Sequence, residues 1–171
     1  MIATRQEREI LRGLAGQVAE IAALPVQQQT VALWKALNAL KPVRPMVMID
    51  QVCWHEMDVD GSLKLQTESP WSRGIETELR RTLYQWKHMP VDMVVLPTIQ
   101  ISKVIRNTGF GIQIVEERAI TDPQNDIVGH MYIDQLKTED DLQKIRTPEL
   151  ELDAPATAEV EETAHDIFDG L

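Results

Sequence analysis

The chain has little cysteine, no long apolar run and a deficit of positive charge, and each shortage excludes something. Cys53 is its one cysteine, so no internal disulfide can form. No apolar stretch approaches the ~20 residues that a membrane-spanning helix needs. Lysine and arginine number 17 against 27 aspartates and glutamates, for a net charge of -10. That balance argues against a general nucleic-acid surface, because phosphate binding is driven largely by Lys and Arg. It argues weakly against an anionic membrane face. The ordinary meaning of such acidity is solubility. The opening "MIATRQEREI" is charged and lacks an apolar signal core, so a cytoplasmic location is the expectation.

Strong motifs are missing as well. No Gly-rich phosphate loop is present: "TGFGI" is too short for the dinucleotide fingerprint and joins two strand-like runs, not a strand to a helix. There is no G-x-S-x-G, no H-E-x-x-H and no paired C-x-x-C. Each absence removes a motif without removing a whole enzyme class.

What is present is ordinary globular material. At 171 residues with an average apolar content, the chain can build a core as one domain with an appended arm. In "TRQEREILRGLAGQVAEIAAL", Ile10, Leu14, Val18 and Ile21 recur at helical spacing beside Leu11 and Ala22, with Thr4 as N-cap. Gly13 and Gly16 weaken that helix by about 1 kcal/mol each relative to Ala where exposed. After Pro25, "VQQQTVALWKALNAL" sets Val31, Trp34 and Leu37 on one stripe that extends to Leu40. Such a stripe is core material, not a cofactor box. Pro42 and Pro45 stop this helix. "MVMI", Met46 to Ile49, then reads as a short buried strand. Asp60-Gly61 reads as a turn, followed by an extended piece with Leu63 and Leu65 on one face.

"SRGIETELRRTLYQWKHM" is the clearest helix, capped by Ser72. Ile75, Leu79, Leu83 and Trp86 form its apolar face; Glu76, Glu78, Arg80 and Arg81 decorate the other. The pair Glu76/Arg80 stands four apart in the favourable order, a contribution of only a few tenths of a kcal/mol. Beyond Pro90 the period changes to alternation in "DMVVLPTIQISKVIRN" and "FGIQIVEERAI", with "NTGFG" as the turn between them. "DPQND" (Asp122 to Asp126) is another turn and "HMYIDQL" a further strand, giving a small, mainly antiparallel sheet. "TEDDLQKI" carries a capping-box pattern, Thr138 with Asp141, and acids in its first turn. Pro148 stops it, "ELELD" is extended, and "APATAEVEETAHDIFDGL" is a closing helix with Val160, Ala164 and Ile167 or Phe168 inward and Gly170 as its stop. The predicted fold class is therefore α+β: N-terminal helices, a small antiparallel sheet and C-terminal helices. The division drawn is a helical arm over 1–41 and an α+β region over 42–171.

Of the four histidines, His88 sits at a helix C-terminus, where a cation is favoured, and His165 on the polar side of the last helix. Both read as structural. His55, beside Glu56 and two residues after Cys53, is the most site-like. Cys53, His55 and Asp50 all have zinc-binding chemistry. On one extended segment, however, residues 53 and 55 share a face and Asp50 points to the other, so a full metal site needs ligands from elsewhere. No base is placed to activate Cys53 as a nucleophile.

The blocks "LWKALNALKPVRPMVMID", "WHEM", "ELRRTLYQWKHMPVDMVV", "NTGFGI", "YIDQLKTEDDLQKI" and "IFDGL", in that order and spacing, resemble the N-terminal region of the uroporphyrinogen decarboxylase superfamily. The likeness runs from about Arg5 onward and is nearest to the bacterial uroporphyrinogen decarboxylase-like branch, related to cobalamin-dependent methyltransferases. It implies a TIM-type barrel enzyme, which takes about 250 residues, or ~200 when compact. This chain shows no repeated strand–helix alternation, and in the family the helix ending near "IFDGL" precedes much of the barrel. Its expected status is thus an N-terminal extension and early portion, either truncated or working with a partner.

One departure is informative. In true decarboxylases of the family, the strand matching "RPMVMI" leads into an R-Q-A-G-R motif that holds substrate carboxylates. Here that place reads "DQVCWHEM", with Asp50 where the first arginine would stand and no arginine before Arg73. An acid there repels a polycarboxylate. The resemblance therefore implies methyl transfer involving a corrinoid or thiol, with Asp50, Trp54, His55 and Glu56 at the substrate rim. It implies zinc ligands only on later barrel segments, so this chain alone is expected to bind no cofactor. A barrel portion or a corrinoid protein is the implied partner. Two rival readings stand beside this one. The first is a non-catalytic module that binds a barrel subunit or itself; the second is a small metal enzyme around Cys53 and His55.

Overall fold

A computed structural model describes residues 2–121 and 128–171. The turn expected at Asp122 to Asp126 lies outside the described residues. The chain mixes helices with two small antiparallel sheets. It divides into two compact units, Met1–Ile101 with Val160–Leu171, and Ser102–Glu159.

The first unit is helical. Helix α1 (Arg5–Ala22) starts where Thr4 accepts the Glu7 amide at 3.3 Å while the Glu7 carboxylate accepts the Thr4 amide at 2.7 Å, a reciprocal capping box. Its inward line is Leu11, Ala15 and Val18, so the stripe expected through Ile10 and Leu14 is rotated, with Leu14 and Ile21 on its shoulder. Helix α2 (Pro25–Asn38) begins on Pro25, a residue suited to the first turn because its missing N–H has no partner there anyway. Leu40 falls beyond the helix at φ 58° and is exposed, which removes it from the expected stripe. Helix α4 (Pro70–His88) packs on α1. Leu11, Val18, Leu79, Val95 and Ile167 are buried together, with Trp71, Ile75, Leu83 and Trp86 packed against them. Ile167 belongs to α5 (Ala154–Phe168), where Val160, Ala164 and Ile167 turn inward as the spacing predicts, and Gly170 follows at φ 77° as the helix stop.

Two expectations about α4 are overturned. Its cap is Ser69, whose hydroxyl accepts the Ser72 amide at 3.2 Å; Ser72 is fully buried inside the first turn. Pro70 explains the earlier start, for its fixed φ already suits the first helical position. Glu76, expected on the solvent face, has 0% exposure. Its carboxylate accepts the Gln66 amide (2.9 Å), the Thr67 amide (2.9 Å), the Thr67 hydroxyl (2.7 Å) and Arg80 Nε (2.6 Å). Burial pushes this carboxyl up, but the hydrogen bonds from Thr67, Arg80 and Gln66 outweigh it and hold it below its ordinary value. Glu7 does the same service one step along, accepting the amides of Glu68 (2.9 Å) and Ser69 (2.8 Å). Those bonds, from Ser69 and Thr4 first, bring the Glu7 carboxyl from 4.5 to about 2. Two buried carboxylates thus strap residues 66–69 to α1 and α4.

Met46 to Ile49 forms no strand, contrary to expectation. Among the described residues, its one backbone–backbone bond to a distant segment is the Asp92 amide on the Val47 carbonyl (3.2 Å), and Val47 and Met48 are exposed. Among the described residues, no neighbouring strand supplies the ladder that would make it one.

In the second unit, β1 (Ile105–Asn107) pairs antiparallel with β4 (Leu150–Leu152), Ile105 opposite Leu152. β2 (Glu116–Ala119) pairs antiparallel with β3 (Gly129–Tyr132), Glu116 opposite Tyr132. Antiparallel pairing holds, but as two separate two-stranded sheets instead of one. "NTGFG" is not a hairpin turn: Gly109 and Gly111 both have positive φ and steer the chain toward 144–146, where the Arg146 amide donates to the Phe110 carbonyl (2.8 Å). A Cβ on Gly111 would come within 2.2 Å of the Lys144 carbonyl oxygen, so glycine serves close backbone approach. "TEDDLQKI" forms a 3₁₀ helix (Glu139–Lys144). Asp141 accepts the Thr138 amide at 2.8 Å and hydroxyl at 3.0 Å, and with Lys144 beside it is held well below the carboxylate range. A segment this short, with Leu142 exposed, lacks the packing that makes an α-helix pay. No hydrophobic residue of this unit is buried among the described residues; Ile114 is 78% and Tyr132 67% exposed.

Candidate functional site

The segment from Arg44 to Met57, which carries Asp50, Trp54, His55 and Glu56, has almost no regular structure. It is fixed instead by side chains that grip its backbone. Asp92 makes a bidentate pair with Arg44, one bond at 2.9 Å, and accepts the Val47 amide at 2.8 Å. Those contacts, Arg44 first, bring the Asp92 carboxyl from 3.8 to about 2. Gln85 Nε2 donates to the Ile49 carbonyl (2.6 Å), and the Tyr84 hydroxyl to the Met57 carbonyl (3.0 Å). Trp34 Nε1 donates to the Asp92 carbonyl (2.8 Å), so α2 holds the residue that holds the loop.

The loop's own side chains are left on display. Asp50, Gln51, Cys53 and Glu56 are exposed. Residues 54–57 form one helical turn, α3 (Trp54–Met57), so the extended geometry expected for Cys53 to His55 does not hold there. Trp54 is half-buried: the Arg81 guanidinium lies 5.1 Å from its ring centroid, and Tyr84 meets it edge-on at 6.1 Å. Tyr84 also stacks at a tilt on His88, centroids 4.3 Å apart. His55 is half-buried, its Nε2 lying 3.6 Å from the neighbouring Glu56 carboxylate.

The four rim candidates therefore share one loop but not one cluster. Trp54 joins an aromatic and cationic group on α4, His55 and Glu56 adjoin each other, and Asp50 faces a hollow between α2 and residues 92–94. Among the described residues, no three His, Cys, Asp or Glu side chains come together as a metal site. The two buried glutamates, Glu7 and Glu76, already accept several N–H donors each and are occupied structurally.

Sequence reasoning missed the grip: Trp34, Tyr84, Gln85 and Asp92. Asp92 carried a signal, a lone acid in the apolar run "PVDMVV". Tyr84 and Gln85 carried none, since both sit in the expected helix at unremarked positions. No helix among the described residues is long and apolar enough to cross a membrane. No protein-family profile matches the chain, and neither a curated protein nor a solved structure matches it.

Proposed function

We propose that this chain is the N-terminal part of a uroporphyrinogen decarboxylase-like enzyme of the corrinoid-dependent methyltransferase type. In this reading it packs on a barrel and shapes the substrate entrance, with the Arg44 to Met57 loop at the rim, and is catalytically silent alone. One observation carries the proposal: Ser102–Glu159 buries no hydrophobic residue among those described, while Phe110, Ile114, Tyr132 and Leu150 stand exposed. Two-stranded sheets are marginal by themselves, and exposed apolar groups of this extent ordinarily meet a partner surface. A loop pinned by its backbone, with Asp50 and Glu56 exposed on it, suits the rim role.

The test supplies a uroporphyrinogen decarboxylase-like barrel, lacking its own N-terminal region, to the purified chain. A stoichiometric complex by light scattering, with slowed amide exchange over 102–159, is the expected result. No complex, with exchange unchanged, would sink the proposal. Methyl transfer from a methylated corrinoid by the chain alone, lost in His55→Ala, would refute its silence. The same exposed residues support a second reading, a non-catalytic module that associates with itself. Concentration-dependent dimers, with protection of 102–159 and no response to the barrel, would favour it.

A further inference from the structure

The hollow beside Asp50 has features the proposed role does not use. It measures about 590 Å³, within the range of small-molecule sites. Val31, Trp34, Lys35 and Asn38 reach it from α2 at the i, i+3, i+4, i+7 spacing of one helix face. Met48, Ile49 and Asp50 reach it from the loop, Gln85 from α4, and Met93 and Val94 from the segment after Asp92. All of these residues belong to the first compact unit, so the hollow is complete within it.

Its chemistry is of three kinds. Trp34, Met48, Ile49 and Met93 give an apolar wall, and the two thioethers can adapt to an irregular apolar body. Lys35 brings a positive charge and Asp50 a negative one. Among the described residues, neither side chain makes a hydrogen bond or an ion pair, with the other or with any third group. Asn38 adds an amide free to donate and accept. Some charged groups of this unit are matched at close range: Glu76 with Arg80, Asp92 with Arg44, Arg8 with Asp166. Here two opposite charges line one partly apolar hollow without meeting each other.

The wall is also held in place from behind. Gln85 fixes the Ile49 carbonyl, and Trp34 and Asp92 fix each other and the loop's Val47 amide. A ligand entering would meet a shaped surface and would not have to order one, which lowers the cost of binding.

We infer that this hollow binds a small zwitterion with an apolar body, of the α-amino-acid type, with its ammonium group on Asp50 and its carboxylate on Lys35 and Asn38. The apolar part lies against Trp34, Met48 and Met93. A plain acid would leave Asp50 unmatched beside it, and a plain amine would leave Lys35 so; a molecule carrying both charges satisfies both. The inference is independent of the proposed barrel role, since it concerns the isolated chain and residues of one unit.

The test uses the full chain and watches the Trp34 indole N–H by two-dimensional NMR, assigned with Trp34→Phe. Phenylalanine is titrated against 3-phenylpropanoate, which lacks the ammonium, and 2-phenylethylamine, which lacks the carboxylate. Phenylalanine should shift the Trp34 signal saturably, with each analogue weaker by about tenfold or more. Lys35→Met and Asp50→Asn should each weaken phenylalanine by about tenfold while leaving the thermal midpoint unchanged, both positions being exposed. No saturable shift up to ~20 mM would overturn the inference. So would an analogue that binds as well as phenylalanine, or variants that bind it as well as the parent.

Discussion

In the unit formed by Met1–Ile101 and Val160–Leu171, Leu11, Ile167 and Glu76 are sealed from solvent; in Ser102–Glu159, Ile114 and Tyr132 lie open and two short ladders stand apart. The first unit buries carboxylates as well as leucines, because each buried carboxylate meets enough N–H donors to replace its water. The second spends its backbone on sheets of three and four residue pairs and on glycine-dependent close contacts, with no hydrophobic residue buried beneath them among those described. Stability in the two should therefore answer to different substitutions.

The largest effect is expected from Glu76→Gln. The amide cannot accept all the donors that converge on the carboxylate, and Arg80 loses its partner, so unfolding by urea should show a loss of about 3–5 kcal/mol. Leu11→Ala removes a side chain with no exposure and should cost about 2–4 kcal/mol in the same measurement. Both losses should appear as faster amide exchange in α1 and α4. If either variant opened only 102–159, the contrast between the units would be wrong.

Gly111→Ala reverses the pattern. It forces a side chain into the Lys144 carbonyl at positive φ, so exchange should quicken over 105–107 and 144–152 while α1 and α4 keep their protection. The local cost should be about 1–3 kcal/mol. Equal opening of both units would show them to be one cooperative block.

The last effect is a dependence on pH. Glu7 titrates near 4.5 in an unfolded chain and near 2 in the fold. Its folded value is lowered, so the stabilisation it confers is complete above about pH 4.5 and drains away as pH falls toward 2. Glu7→Gln should therefore be less stable than the parent at neutral pH and should converge with it near pH 2. A gap that stayed constant across that window would show that the carboxylate's charge contributes nothing to the strap. Asp92, lowered from 3.8 to about 2, should loosen the loop over the same acid range, seen as faster exchange at the Val47 amide.

Helix legibility was high for a physical reason. Apolar spacing, Thr4 and Gly170 act through neighbours in sequence, so α1, α2, α4 and α5 could be read with small errors of cap and face. The errors arose where a distant partner decided the outcome. Glu76 looked solvent-facing because its helix position placed it beside charged residues; the amides of Gln66 and Thr67 turned that position into an interior one. "MVMI" had a strand's composition but found no ladder. The rim candidates Asp50, Trp54, His55 and Glu56 were visible as crowded chemistry, and their dispersal into separate surroundings was not.

By itself, then, the sequence determined that the four main helices exist and which stretches form them, the antiparallel habit of the short strands, the impossibility of an internal disulfide, and, among the described residues, the absence of a spanning helix. Each is a matter of local spacing or of composition. Tertiary structure decided that two glutamates form the strap of the first unit, that the strands separate into two sheets, and that "NALKPVRPMVMIDQVCWHEM" is held by Trp34, Tyr84, Gln85 and Asp92. A hydrogen bond across 45 residues, as between Asp92 and Val47, leaves no period in the chain. It exists only once both ends have been brought together by the burial of something else.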